Sequence, residues 1–155
     1  MSERNIKTKK NNNEGGSMTA LAQLYETAFL NDVTVVNWKM KQKALSIMDE
    51  DGDCYIALNI YDLMDEREEA AVLAHDLGHC MTGAFYNRYS RLNVISQKEY
   101  RANRWAVHNL LPYSDLQEAF RKGICDPWEL AEYFEMTEEF IRLALKIYKN
   151  EEPGY

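Results

Sequence analysis

From Thr19 onward, the apolar positions Leu21, Leu24, Tyr25 and Ala28 recur at the three- and four-residue spacing of an amphipathic helix. Thr19 is its natural N-cap, and Asn31 marks its expected end. Val33, Val35 and the Val36-Asn37-Trp38 segment are β-branched or aromatic and predict a short strand. Leu45 and Ile47 then alternate with polar neighbours, as do Ile56 and Leu58, on either side of Asp49-Glu50-Asp51-Gly52-Asp53, so a β-hairpin with a glycine-containing turn is expected. After Asn59 the period lengthens. Asp65 with Glu68 three residues on has the form of a capping box, and Ala70, Ala71, Val72, Leu73, Ala74 and Leu77 predict a buried helix that Gly83 ends. A turn-rich stretch over 84–96 precedes a predicted helix over 97–111, stopped by Pro112. Three further helices are expected: one over 114–122, one opened by Asp126-Pro127-Trp128-Glu129, and one over 137–150.

A few strands followed by many helices predict an α+β fold, mostly helical, with a short sheet and a C-terminal helical segment spaced like a helix-turn-helix. The chain has 155 residues, 46% of them hydrophobic, which suffices for one domain with a core. Residues 1–17 carry one aliphatic side chain, Ile6, among Lys, Asn and Gly, so they read as a disordered tail or linker, 18–150 as a single domain and 151–155 as a second tail. Eighteen Lys plus Arg against 25 Asp plus Glu give a net charge of −7, which argues against a broad nucleic-acid-binding face. No apolar run approaches the roughly 20 residues that span a bilayer, and the N-terminus lacks a secretory pattern, so a cytoplasmic protein is expected. Cys54, Cys80 and Cys125 are odd in number and widely spaced, and all three are expected as reduced thiols.

The chemistry concentrates in His75-Asp76-Leu77-Gly78-His79. Two histidines four apart sit about 40° apart around a helix, so two ring nitrogens can converge on one ion. Such pairs also arise by chance. Here, however, two of three histidines fall in an otherwise apolar helix, where imidazoles and Asp76 are costly to bury without partners. Glu99 on the next long helix is the natural third ligand, with Ala102, Asn103 and Ala106 on its face; small side chains permit close helix approach, and Asn103 can orient a ligand. His108 falls on the opposite face and is not expected to ligate. The acidic turn at Asp49, Asp51 and Asp53 fails the calcium-loop pattern, with Cys54 at its sixth position and Ile60 at its twelfth, and reads as a solvated hairpin tip.

Leu73-Ala74-His75-Asp76-Leu77-Gly78-His79, the run Glu99-Tyr100-Arg101-Ala102-Asn103-Arg104-Trp105-Ala106, Leu110-Leu111-Pro112, and the strand Ile56-Ala57-Leu58-Asn59 together resemble the ImmA/IrrE-type metallo-endopeptidases. The resemblance implies a zincin-like fold in which His75, His79 and Glu99 hold Zn2+. It also implies a protein partner, a helix-turn-helix repressor of a prophage or mobile element, which such an enzyme cuts. One position departs from the family pattern: Asp76 stands where the family has its catalytic Glu. That carboxylate takes a proton from the attacking water and hands it to the leaving amine. Asp can do the same chemistry but is shorter by about 1.5 Å, and a misplacement of about 1 Å can cost on the order of a hundredfold in rate.

Turnover weakened by Asp76 is therefore one expectation, and a catalytically inactive partner-binding protein on the same fold is its alternative. A helix-turn-helix DNA-binding regulator is the third reading, disfavoured by Thr137-Glu138-Glu139 at the start of its second helix and by three cations against seven anions over 127–155. Tyr86, Tyr89, Arg91 and Tyr100 lie in or near the connection between the two ligand helices, within reach of a cleft, but structural roles suit each equally well and the sequence assigns an oxyanion-stabilising role to none of them.

Overall fold

The computed structural model describes residues 18–152. Along the chain run α1 (Ala20–Leu30), β1 (Thr34–Asn37), β2 (Ala44–Met48), β3 (Cys54–Leu58), a 3-10 turn (Ile60–Asp62), α2 (Glu66–Thr82), α3 (Leu92–Leu110), α4 (Tyr113–Arg121), α5 (Pro127–Phe134) and α6 (Glu138–Glu151). This is the helix-rich α+β, zincin-like architecture that the sequence implies. The expected caps are in place: the Thr19 side chain accepts from the Ala22 N–H, and Thr137 from that of Phe140. At the start of α2, Asp65 accepts from the Glu68 N–H while Glu68 reaches back to the Met64 N–H, a reciprocal cap.

The hairpin pairs β2 with β3 antiparallel, Leu45 opposite Ala57 and Ile47 opposite Tyr55. Its acidic tip spends the Asp49 carboxylate on the backbone N–H groups of Asp51 and Asp53. β1 joins the other side of β3 in parallel, so the order is β1-β3-β2 and β2 is an edge strand. Alternation sends Cys54, Ile56 and Leu58 inward. There they meet Leu73 and Leu77 of α2, and the same core takes in Leu24, Val107, Leu111, Leu116, Leu130, Ile141 and Ile147. Among the described residues, no helix is long and apolar enough to cross a membrane.

Two expectations need correction. Helix α3 starts at Leu92 rather than at 97. Asn93 and Ser96 face solvent, where their side chains do not compete for the backbone, and the Ile95 N–H already bonds to the Arg91 carbonyl. The second concerns the thiols. Cys54 and Cys80 form a disulfide, with Cα atoms 5.9 Å apart, and only Cys125 is free. The pair is far apart in sequence but β3 runs against the last turn of α2, which brings them together. Disulfides are rare in a reducing cytosol, so cysteine usage no longer argues for that compartment. The segment 1–17 lies outside the described residues, as do 153–155 of the C-terminal tail, whose Glu151 closes α6.

Candidate metal centre

Helix α2 carries His75 and His79 one turn apart near its C-terminal end, where Gly83 (φ +64°) turns the chain back toward α3. Gly78 lies between them and packs against α3 at Ala102. Glu99, one turn before Ala102, is thereby set against both imidazoles. His75 Nε2 lies 3.0 Å from Glu99 Oε2, His79 Nε2 lies 3.1 Å from Glu99 Oε1, and the two Nε2 atoms are 3.1 Å apart.

The outer nitrogens are also engaged. His75 Nδ1 meets Asn103 Oδ1 at 2.7 Å, and His79 Nδ1 meets the Ala84 carbonyl at 2.5 Å. Oxygen acceptors at both positions assign the protons to Nδ1 and leave the Nε2 lone pairs facing one another and a carboxylate. Three acceptors pointed at one small space repel unless a cation joins them. All the ligand atoms of His75, His79 and Glu99 lie within 4.8 Å of one another, so the cluster can hold a metal ion. The 3.1 Å between the nitrogens is close to the roughly 3.3 Å that two bonds of about 2.05 Å impose at a tetrahedral angle. The donor set, two neutral imidazoles and one carboxylate, suits a borderline divalent ion with one position left open.

Asp76 sits beside this cluster but on the sheet side of α2. It is 8% exposed, and burial pushes its carboxyl above the ordinary value, with nearby Ser46 of β2 acting in the opposite direction. Of the four aromatic and basic candidates around the connection, Tyr86 is the one that reaches the cluster: its hydroxyl donates to Glu99 Oε1 at 2.7 Å. That hydrogen bond, with burial and the charges of Glu99 and Asp76, raises the phenol to about 12, so it stays a donor. Tyr89 is 79% exposed and bonded to Arg88, Arg91 precedes α3, and Tyr100 is exposed. His108 pairs with Glu151 of α6, away from the cluster. The proximity of Ser46 to Asp76 escapes sequence reasoning because it depends on strand register, for which the chain carries no local signal.

A cleft of about 790 Å3 opens beside His75, Asp76 and Asn103, bounded by the start of β2, the exposed face of α2 and the first turns of α6. No curated protein and no solved structure matches the chain. A family model for M78 peptidases, described as the IrrE N-terminal-like domain, matches residues 32–146, from just before β1 through most of α6.

Proposed function

Because the chain belongs to the IrrE N-terminal-like family of M78 peptidases, we propose that it is a zinc-dependent endopeptidase in which His75, His79 and Glu99 hold the ion, acting on a helix-turn-helix repressor. The observation that carries this reading is the convergence of two Nε2 atoms and one carboxylate at 3.0–3.1 Å, each imidazole fixed from behind by an oxygen acceptor. A zinc ion held there supplies Lewis-acid polarisation of the scissile carbonyl and of the attacking water.

The chain's own groups supply the rest. Asp76 is the general base that takes the proton from water and returns it to the leaving amine, and its raised proton affinity favours that transfer. Tyr86 steadies Glu99 and offers an O–H close to where a carbonyl oxygen gains charge. The unpaired edge of β2, next to the cleft, suits an extended peptide added as a further strand.

A second reading rests on a specific observation. Asp76 is shorter by about 1.5 Å than the family's Glu, which favours a protein that grips its partner without cutting it. A DNA-binding role for α5 and α6 gains nothing from the fold. Phe140, Ile141, Ala144 and Ile147 of α6 are spent on the core, and its first turn presents Glu138 and Glu139.

The test combines metal content with cleavage. Native mass spectrometry of the tag-free protein is expected to find about one zinc per chain, lost in His75→Ala and Glu99→Ala. Incubation with a helix-turn-helix repressor from the same locus is expected to give defined fragments with wild type and Asp76→Glu and none with Asp76→Asn. Fragments with Asp76→Glu alone would leave the gripping reading in place. Absence of zinc from folded, zinc-supplemented protein would overturn the peptidase.

A further inference from the structure

The cleft beside the metal cluster has an outer arm that the peptidase reading leaves without a role. From His75, Asp76 and Asn103 it extends along α2 past Val72, Glu68 and Asp65 to Glu139, Phe140 and Leu143 in the first turns of α6. Positions 65, 68, 72 and 75 recur at three- and four-residue steps, so they form one stripe of α2. Of its lining, Val72, Phe140 and Leu143 are buried or half-buried and form an apolar floor, whereas Asp65 and Glu139 are exposed at its rim. Lys43 is the one cation of the lining, and it is bonded to Glu68. Asp65 spends its carboxylate on the helix cap, and Glu139 makes no ion pair among the described residues. The lining therefore carries more negative than positive charge over an apolar floor, with Lys43 also attracted to Glu139 and Arg67 to Asp65.

We propose that this outer arm is a side-chain subsite for a peptide segment in which a large apolar residue lies next to a lysine or arginine. The apolar side chain fits between Val72, Phe140 and Leu143, and the cation meets Glu139 and Asp65. Two features favour a peptide over a small molecule. Ala44, the first residue of the edge strand, lines the cleft, so main-chain hydrogen-bonding groups stand beside the subsite. The charge pattern discriminates among neighbouring side chains of a polymer, which a uniformly apolar pocket does not. The proposal rests on the peptidase reading for the peptide's approach to the cluster, but occupancy of the arm needs no turnover.

Fluorescein-labelled Gly-Ser peptides with a central Leu-Arg, Ala-Arg or Leu-Glu pair, titrated against zinc-loaded protein by fluorescence anisotropy, test it. Leu-Arg is expected to bind roughly tenfold tighter than Ala-Arg and about fivefold tighter than Leu-Glu. Glu139→Lys, an exposed change, is expected to abolish or invert the preference for Leu-Arg over Leu-Glu. Glu138→Lys, whose native carboxylate is bonded to Arg142 and lies outside the cleft lining, is expected to preserve it. Equal or undetectable binding of all three peptides, an unchanged preference in Glu139→Lys, or equal shifts in both variants would overturn the subsite. Zinc content measured on the same samples separates the outcomes: lost discrimination with zinc bound sinks the subsite alone, and discrimination without zinc sinks the peptidase alone.

Discussion

Gly78 of α2 lies so close to Ala102 of α3 that a Cβ built on it would stand 2.3 Å from the Ala102 carbonyl oxygen and 2.8 Å from the carbonyl carbon. Backbone atoms cannot yield as a flexible side chain can, so the two helices meet at a distance only glycine permits. His75 and His79 flank this contact, and Glu99 is one turn from it. Gly78→Ala, normally worth about 1 kcal/mol in favour of a helix, is expected here to destabilise the protein by about 2 kcal/mol through overpacking. The same separation of helices draws Glu99 away from the imidazoles and weakens zinc binding. Urea denaturation and a zinc competition assay check both effects; a variant as stable as wild type would show that the helices part at no cost.

Asn103 does not touch the proposed ion, yet its Oδ1 accepts from His75 Nδ1 at 2.7 Å and so fixes both the tautomer and the ring angle. Asn103→Ala is expected to lower zinc affinity by about 10- to 100-fold with a far smaller effect on unfolding. Competition with a chelating dye gives the affinity, and circular dichroism melts give the stability. Equal affinities for wild type and variant would make the hydrogen bond incidental.

The sequence makes the cluster readable because its determinants are local. A histidine pair at i and i+4 needs only a helix, and Glu99 with Asn103 repeats the same spacing on the next one. Helix ends at Thr19, Asp65 and Thr137 are readable for the same reason, since a cap involves three or four consecutive residues. What escapes is non-local. The parallel pairing of β1 with β3 follows from packing across the sheet. The Cys54–Cys80 bond depends on where β3 runs under α2, and the selection of Tyr86 depends on how the chain turns after Gly83. Gly78 is visible as a motif residue, but the reason for it sits on another helix.

The Cys54–Cys80 disulfide ties the residue after His79 to the first residue of β3, at a sequence separation of 26. On the chain-entropy account, closing a loop of this length contributes about 3.5 kcal/mol. A phosphine reductant is therefore expected to lower the urea midpoint of wild type and to leave the Cys54→Ser, Cys80→Ser double variant unmoved. Peptide mapping without reduction should recover the two cysteines in one linked fragment. An unchanged midpoint together with two separate thiol peptides would show that the protein is reduced in solution.

Acid stability follows from Glu68. The Lys43 ammonium that bonds to it, and then the Met64 N–H, hold its carboxyl below the ordinary 4.5, against the upward push of burial. A carboxylate with a depressed folded-state value contributes stability that is fully present above its unfolded value and is lost as pH falls through the folded one. Lys43 behaves in the mirror sense: its raised value means that its share is present below 10.5 and lost as pH climbs past the folded value. Glu68→Gln keeps the hydrogen-bonding shape of the cap but cannot ionise. Wild type is expected to be the more stable of the two near pH 7, and the gap is expected to close as pH falls below the ordinary 4.5 and Glu68 takes up its proton. Urea midpoints across that range measure the gap directly, and a difference that stays constant with pH would locate the loss in packing rather than in charge.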